Sequence, residues 1–276
     1  MVTDSIEGEM YANRTKQTLA SGGTAVGCVV VNLPTPEVVR VLAASGFDYA
    51  FIDLEHSAID LGLAHQLIRA AADSDITPIV RVGELAYSLV ARVLDAGAQG
   101  IIFPRVEDPE ILARAIDWTK FPRQGVRGFG LGPTQLGYRS HTFPEIIAHM
   151  NDNTLVVVQI ETECAVRRRK ELLSVGGVDV ALIGPADLSI SLGVPGDMEH
   201  PSMLNAIEEC MDTCAHLGIA PGIQIRSQEA AERWIRRGMR FVGCGTDAIL
   251  LQHRGQELVT GLRTAARVQQ ATVGSL

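Results

Sequence analysis

The chain has 276 residues, 46% hydrophobic and 20% charged, with a formal net charge of −8. That length accommodates one large α/β domain or two ordinary ones around a sizeable core. An acidic chain without a long Lys/Arg run argues against nucleic acid or anionic membrane as a partner, and no stretch reaches the ~18 apolar residues that span a bilayer.

In chain order, the opening MVTDSIEGEMYANRTK lacks the basic start and apolar centre of a signal peptide. A short apolar run, TAVGCVVV (24–31), then reads as a strand, and TPEVVRVLAASG as a helix with Thr35 as N-cap and Gly46 as stop signal. DYAFIDL (48–54) is followed by DLGLAHQLIRAAAD, ITPIVRV (76–82) by YSLVARVLDAG, and QGIIFPR (99–105) by EILARAIDWT. TLVVVQIE (154–161), VDVALIG (178–184), IAPGIQI (219–225) and RFVGCGT (240–246) complete the strands, with helices in MLNAIEECMDTCAHLG and SQEAAERWIRRG. The strand runs are too short for helices and too uniformly apolar to have a wet face, the pattern of parallel strands buried on both sides.

Eight such strands alternating with helices predict a single (β/α)8 barrel, an α/β fold in one domain over 1–276. An open doubly wound sheet is the other architecture, and the missing GxGxxG after the first strand argues against it. RRRK at 167–170 reads as a solvated helix face. The five cysteines, at 28, 164, 210, 214 and 244, complete no zinc pattern and read as reduced, mostly buried small apolar residues, so the expected compartment is the cytoplasm. Two long connections, 106–153 with its glycine-rich GVRGFGLGPTQLGYRS and 185–218, are expected on the C-terminal rim, where such barrels place their active sites.

Charged groups gather at the predicted strand ends. Strand two ends in Asp53, Glu55 and His56, strand three in Arg81, strand five in Gln159 and Glu161, and strand six in Gly184, Pro185, Ala186 and Asp187. Glu161 and Asp187 come from adjacent strands, and two carboxylates with water elsewhere suit a hard octahedral cation such as Mg²⁺ or Mn²⁺. Arg81 would add a fixed positive charge and His56 a titratable base. Taken singly, each has a plainer reading: Asp187 can N-cap the following helix, and Arg81 can pair with any carboxylate. The histidines at 65, 141, 149, 200, 216 and 253 show no such gathering.

FIDLEHS, PIVRV, VLDAGAQGIIFPRV, VQIET, LIGPADLSISLGVPG and FVGCGTDAILL, in this order and spacing from about 15 to 265, resemble the HpcH/HpaI aldolase family. Its members are class II, metal-dependent pyruvate aldolases of the phosphoenolpyruvate/pyruvate barrel superfamily. The resemblance implies that Glu161 and Asp187 bind the divalent metal (Mg²⁺, Mn²⁺ or Co²⁺) and that Arg81 holds the pyruvate oxygen. It also implies that His56 performs the acid/base step with Asp53 beside it, that Gln159 lines the pyruvate pocket, and that Gly184, Pro185 and Ala186 receive the pyruvate carboxylate. Asp95 matches the partner aspartate of that histidine; it stands just before strand four, on the opposite rim, so it reaches a His56 only from a neighbouring subunit, and a structural role as a helix C-terminal aspartate is the alternative. In the glycine-rich loop, relatives carry an Ala/Arg-rich stretch followed by Trp where this chain has GLGPTQLGYRSH, which leaves the aldehyde open and the pyruvate half intact.

These roles imply cleavage of a 4-hydroxy-2-oxo acid to pyruvate and an aldehyde, with oxaloacetate decarboxylation as a side reaction of the same site. None of the three lysines, Lys16, Lys120 and Lys170, stands at a strand end, which argues against a Schiff-base mechanism. A CoA-thioester lyase of the citrate lyase β type and a non-catalytic 2-oxo-acid-binding subunit are the competing readings. Ile249, Leu250, Leu251, Leu258 and Leu262 form an apolar stripe on the final helix, which in the family is exchanged between subunits of a hexamer built as a trimer of dimers.

Overall fold

The structure is a computed structural model that describes residues 10–132 and 135–273, with side chains through residue 267. Residues 1–9 of the stretch read for a signal peptide, and Pro133 and Thr134 of the glycine-rich loop, lie outside the described residues. The strands are β1 (Ala25–Val30), β2 (Tyr49–Asp53), β3 (Thr77–Arg81), β4 (Gly100–Phe103), β5 (Leu155–Ile160), β6 (Val180–Ile183), β7 (Ala220–Ile225) and β8 (Phe241–Thr246). They pair in parallel in chain order, and β8 closes on β1, so the sheet is the expected barrel and not an open one.

The helices are α1 (Arg14–Ala20), α2 (Pro36–Ala44), α3 (Leu61–Asp73), α4 (Tyr87–Asp95), α5 (Pro109–Asp117), α6 (Phe143–Asn153), α7 (Glu163–Arg167), α8 (Arg169–Leu173), α9 (Pro185–Ser191), α10 (Pro201–Leu217), α11 (Gln228–Arg236) and α12 (Asp247–Val273). Their starts follow local chemistry. Thr35 caps α2 by accepting from the Val38 amide, with Pro36 in the first turn, and Asp60 and Ser227 cap α3 and α11 in the same way. RRRK is not one continuous face, because the helix breaks at Arg168. Arg168 there pairs with Glu171 and Arg169 with Glu209.

Alternation along each strand sorts the core into two layers. Tyr49, Phe51, Ile79, Ile102, Leu155, Val157, Leu182 and Phe241 fill the barrel, while Ala50, Ile52, Val80, Ile101, Val156 and Ile183 face the helices. Tyr49 stacks on Phe241 at 4.2 Å between ring centroids, and position 27 must be glycine because a Cβ there would stand 2.2 Å from the Tyr49 ring. Helix α1, absent from the sequence reading, closes the N-terminal end. Leu19 joins the barrel interior, and Asn13 caps the helix while donating to the carbonyls of Gln99 and Asn153.

One expectation is overturned. The glycine-rich stretch of the 106–153 connection lies on the N-terminal face, not on the C-terminal rim. Helix α5 carries the chain back across the barrel first, as the helix after a parallel strand must. The following loop is then tied to the floor: Lys120 Nζ donates to the Thr154 carbonyl at 3.2 Å, and Arg127 pairs with Asp95 at the end of α4 at 2.7 Å. All five cysteines are free; Cys28, Cys210 and Cys214 are buried, which pushes their thiols up to about 12, while Cys164 and Cys244 are half-buried. Among the described residues, no helix is long and apolar enough to cross a membrane.

Candidate active site

The inward parity that packs the barrel also builds the site. Asp53 stands four residues beyond Tyr49, Arg81 four beyond Thr77, and Gln159 four beyond Leu155, so each side chain enters the mouth one layer above the apolar plug. Asp53 and Arg81 are register partners on β2 and β3. Arg81 donates through Nε to Asp53 Oδ1 at 2.9 Å and through Nη2 to Oδ2 at 2.6 Å, a bidentate pair. Its Nη1 reaches Gln159 Oε1 at 3.4 Å, and the guanidinium lies over the Phe51 ring at 5.3 Å. Burial alone would push the Asp53 carboxyl up, but the Arg81 guanidinium and the amides of Glu55 and His56 outweigh it and hold Asp53 below its ordinary range.

Asp53 Oδ1 also accepts from the amides of Glu55 and His56, at 3.0 and 3.3 Å, which turns the chain so that both follow β2 directly at the mouth. Glu55 is 10% exposed at its side chain and His56 59%. His56 Nε2 lies 3.7 Å from Glu55 Oε2, which in turn lies 3.2 Å from Arg81 Nη1.

Across the mouth, Glu161 is buried at the exit of β5. Its Oε1 accepts from the backbone amide of Arg105 at 2.8 Å and its Oε2 from Gln159 Nε2 at 2.5 Å. Burial raises the Glu161 carboxyl above its ordinary range; the Arg105 amide opposes this, and the neighbouring charges of Glu55 and Asp187 add to it. Gly184 makes the approach of β6 possible, since a Cβ there would stand 2.8 Å from Gln159 Nε2 and 3.0 Å from Glu161 Oε2. The N-cap of α9 is Gly184, not Asp187, which lies in the first turn and is half-buried beside Glu161. Capping therefore does not account for Asp187.

Asp53, Arg81, Gln159, Glu161, Gly184 and Asp187 thus share one mouth, with His56 at its edge. Asp95 does not join them within the chain, because it is paired with Arg127 on the opposite face. Sequence reading passed over two contributors. Glu55 stood in the quoted FIDLEHS but was given no role. The Arg105 amide, held by a left-handed backbone at φ 54, leaves no signal in residue type. A cavity of about 160 Å³ opens on the N-terminal face, lined by Arg69, Gln99, Gln135 and His149 among others, and takes in none of the mouth residues.

The mouth residues fit a divalent cation. The donors are hard carboxylate oxygens, the buried Glu161 is strained by like charge, and Glu55 Oε2 is a buried acceptor with no hydrogen bond. Among the described residues, no three His, Cys, Asp or Glu side chains form one ligand set, which leaves two carboxylates and room for water or substrate oxygen.

Fold and mouth together define a barrel enzyme whose anionic, arginine-anchored site sits at its C-terminal end. The chain belongs to the HpcH/HpaI aldolase/citrate lyase family, whose model matches residues 28–254. It is 31% identical over 259 residues to the 4-hydroxy-2-oxo-heptane-1,7-dioate aldolase of Shigella flexneri, covering 94% of this chain and 96% of that one. Among solved structures, it resembles the HpcH/HpaI aldolase from Desulfitobacterium hafniense DCB-2 with a TM-score of 0.86 at 28% identity, covering 92% and 97% of the two chains. It also resembles the citrate synthase SbnG, with a TM-score of 0.80 at 28% identity and coverage of 91% and 98%.

Proposed function

We propose that this chain is a class II aldolase that cleaves 4-hydroxy-2-oxo acids to pyruvate and an aldehyde, and runs the addition in reverse. The observation that carries this reading is the meeting of Glu161 and Asp187 with Glu55 in one mouth, opposite a buried guanidinium. The activity printed for the Shigella flexneri relative supports it.

Glu161 and Asp187 would hold a divalent cation, Mg²⁺ or Mn²⁺, which supplies Lewis acidity toward the 2-oxo acid when bound. A guanidinium has five N–H groups, and Asp53 and Gln159 occupy three of those on Arg81, so it can still donate to the 2-oxo oxygen. Pro185 has no N–H, and the Gly184 amide already donates to the Ile160 carbonyl. Among Gly184, Pro185 and Ala186 it is therefore the Ala186 amide, in the first turn of α9, that is left to meet the carboxylate end, with the other two shaping the turn around it. His56 takes the proton of the 4-hydroxyl; the C3–C4 bond then breaks, the aldehyde leaves, and Arg81 faces the oxygen of the pyruvate enolate. A proton returned to C3 yields pyruvate.

The exposed His56 and the remote Asp95 also support assembly. Helix α12 runs 27 residues and leaves Leu250, Leu251, Leu258, Val259 and Leu262 exposed, an apolar face that a second copy would cover. In a hexamer, Asp95 and the glycine-rich loop would both reach a neighbour's mouth from their shared face. Light scattering should give an oligomer, and a concentration-independent monomer would refute it.

Pyruvate release from 4-hydroxy-2-oxo acids tests the function directly. Release should stop with EDTA and return with Mg²⁺ or Mn²⁺; release unaffected by chelation would sink the reading.

A further inference from the structure

Glu55 has no assigned part, yet its surroundings are specific. Its side chain is nine-tenths buried between Arg81 and His56, and its charge reaches Glu161. Arg81 already gives its bidentate face to Asp53, so Glu55 is not needed to neutralise it. Although Arg81 Nη1 stands 3.2 Å from Glu55 Oε2, no N–H of the guanidinium aims at that oxygen, which accepts no hydrogen bond in the structure. A buried carboxylate oxygen left in this state costs free energy unless a donor completes it. Glu55 also forms no common ligand set with Glu161 and Asp187, which argues against direct ligation.

A small divalent cation held by two carboxylates keeps waters in its shell, and those waters need acceptors. We propose that Glu55 is the third carboxylate of the site, placed one shell out, where its Oε2 accepts a hydrogen bond from a water carried by the cation between Glu161 and Asp187. This rests on the aldolase reading, which supplies the cation. It also gives Glu55 a positioning role: it sets that water beside His56, 3.7 Å from the same oxygen.

Mn²⁺ is the probe, titrated into the intact protein without substrate and followed by the EPR signal of the free ion. Wild type should bind one Mn²⁺ per chain, and Glu161→Gln should lose more than about 100-fold in affinity. Glu55→Gln should keep one site and weaken it by about 10–100-fold, the usual cost of losing an outer-shell partner. Glu55→Asp, which keeps the charge opposite Arg81 but withdraws the oxygen, should show a smaller loss in the same direction, and it stands in if the amide variant does not fold. Affinity within twofold of wild type in the folded variants would overturn the proposal. A loss in Glu55→Gln as large as that in Glu161→Gln would also overturn it, making Glu55 a direct ligand. If wild type bound no Mn²⁺, the cation of the aldolase reading would fall first, whereas a bound Mn²⁺ indifferent to Glu55 removes this proposal alone.

Discussion

The two ends of the barrel treat polar groups in opposite ways. At the N-terminal floor charges are spent on structure: Lys16 Nζ bridges the Thr154 carbonyl and Asp179, Asp179 also accepts from the Val156 amide, and Asp48 accepts from the Val26 amide. At the C-terminal mouth, three carboxylates, Asp53, Glu55 and Glu161, face the guanidinium of Arg81, a fourth, Asp187, stands beside Glu161, and an oxygen of Glu55 has no hydrogen bond. The floor stabilises the fold, and the mouth is held ready for charge from outside. Floor changes, those at Asp95 and the glycine-rich loop apart, should therefore cost stability and spare chemistry, and mouth changes the reverse.

The largest effect should come from Glu161→Gln or Asp187→Asn. Each removes a proposed anionic ligand and should cut aldol cleavage by about 10³-fold or more, since a Lewis-acid cation is worth several kcal/mol of transition-state stabilisation. The metal-free Glu161→Gln protein should nevertheless melt no lower than wild type, because burial and like charge already disfavour the ionised group. Full activity of both variants after chelation would erase the distinction between the ends.

The next contrast lies within the mouth. His56→Ala should cost about 10²–10⁴-fold in aldol cleavage, the scale of general acid–base catalysis, yet spare much of any oxaloacetate decarboxylation, where no hydroxyl proton moves. Arg81→Ala should cost about 10²–10³-fold in both, since enolate charge is common to them. Rates of both reactions for both variants, at saturating metal, give the test. Equal losses for His56→Ala would remove it as the base.

At the floor, Asn13→Ala should lower stability by about 1–3 kcal/mol. It removes the cap of α1 and two donors to the Gln99 and Asn153 carbonyls. Its kcat should stay within a factor of two, which denaturation and turnover measured on one preparation would establish.

An effect confined to alkaline pH concerns Lys120, whose ammonium burial has pushed down to about 8. The folded state loses this proton near pH 8 and the unfolded chain only near 10.5. Stability therefore rises with pH across that interval relative to Lys120→Met, by at most about 3 kcal/mol. Parallel denaturation curves for the two proteins from pH 7 to 10 would contradict this.

The sequence revealed much of the fold because strand periodicity, turn residues and caps are local. The runs carrying Asp53, Arg81 and Gln159 became strands, and inward parity placed these side chains at the mouth. What stayed hidden depends on position across the barrel. Nothing in GVRGFGLG tells that α5 has already returned the chain to the floor, and the type of residue 105 does not disclose that its amide holds Glu161. Asp95 was placed on the far rim by strand order alone, but its pairing with Arg127 needed the fold.

The junction of β8 and α12 has a mechanical consequence. Asp247 is buried there and takes up the backbone amides of Val31, Asn32 and Leu33, the segment leaving β1 at the mouth, together with that of Ala248. One carboxylate thus rivets the base of the terminal helix to the lip of the active site. A chain cut before Asp247 would keep all eight strands and still leave three lip amides without their acceptor, so the tail belongs to the working parts of the barrel even though it adds no strand to it.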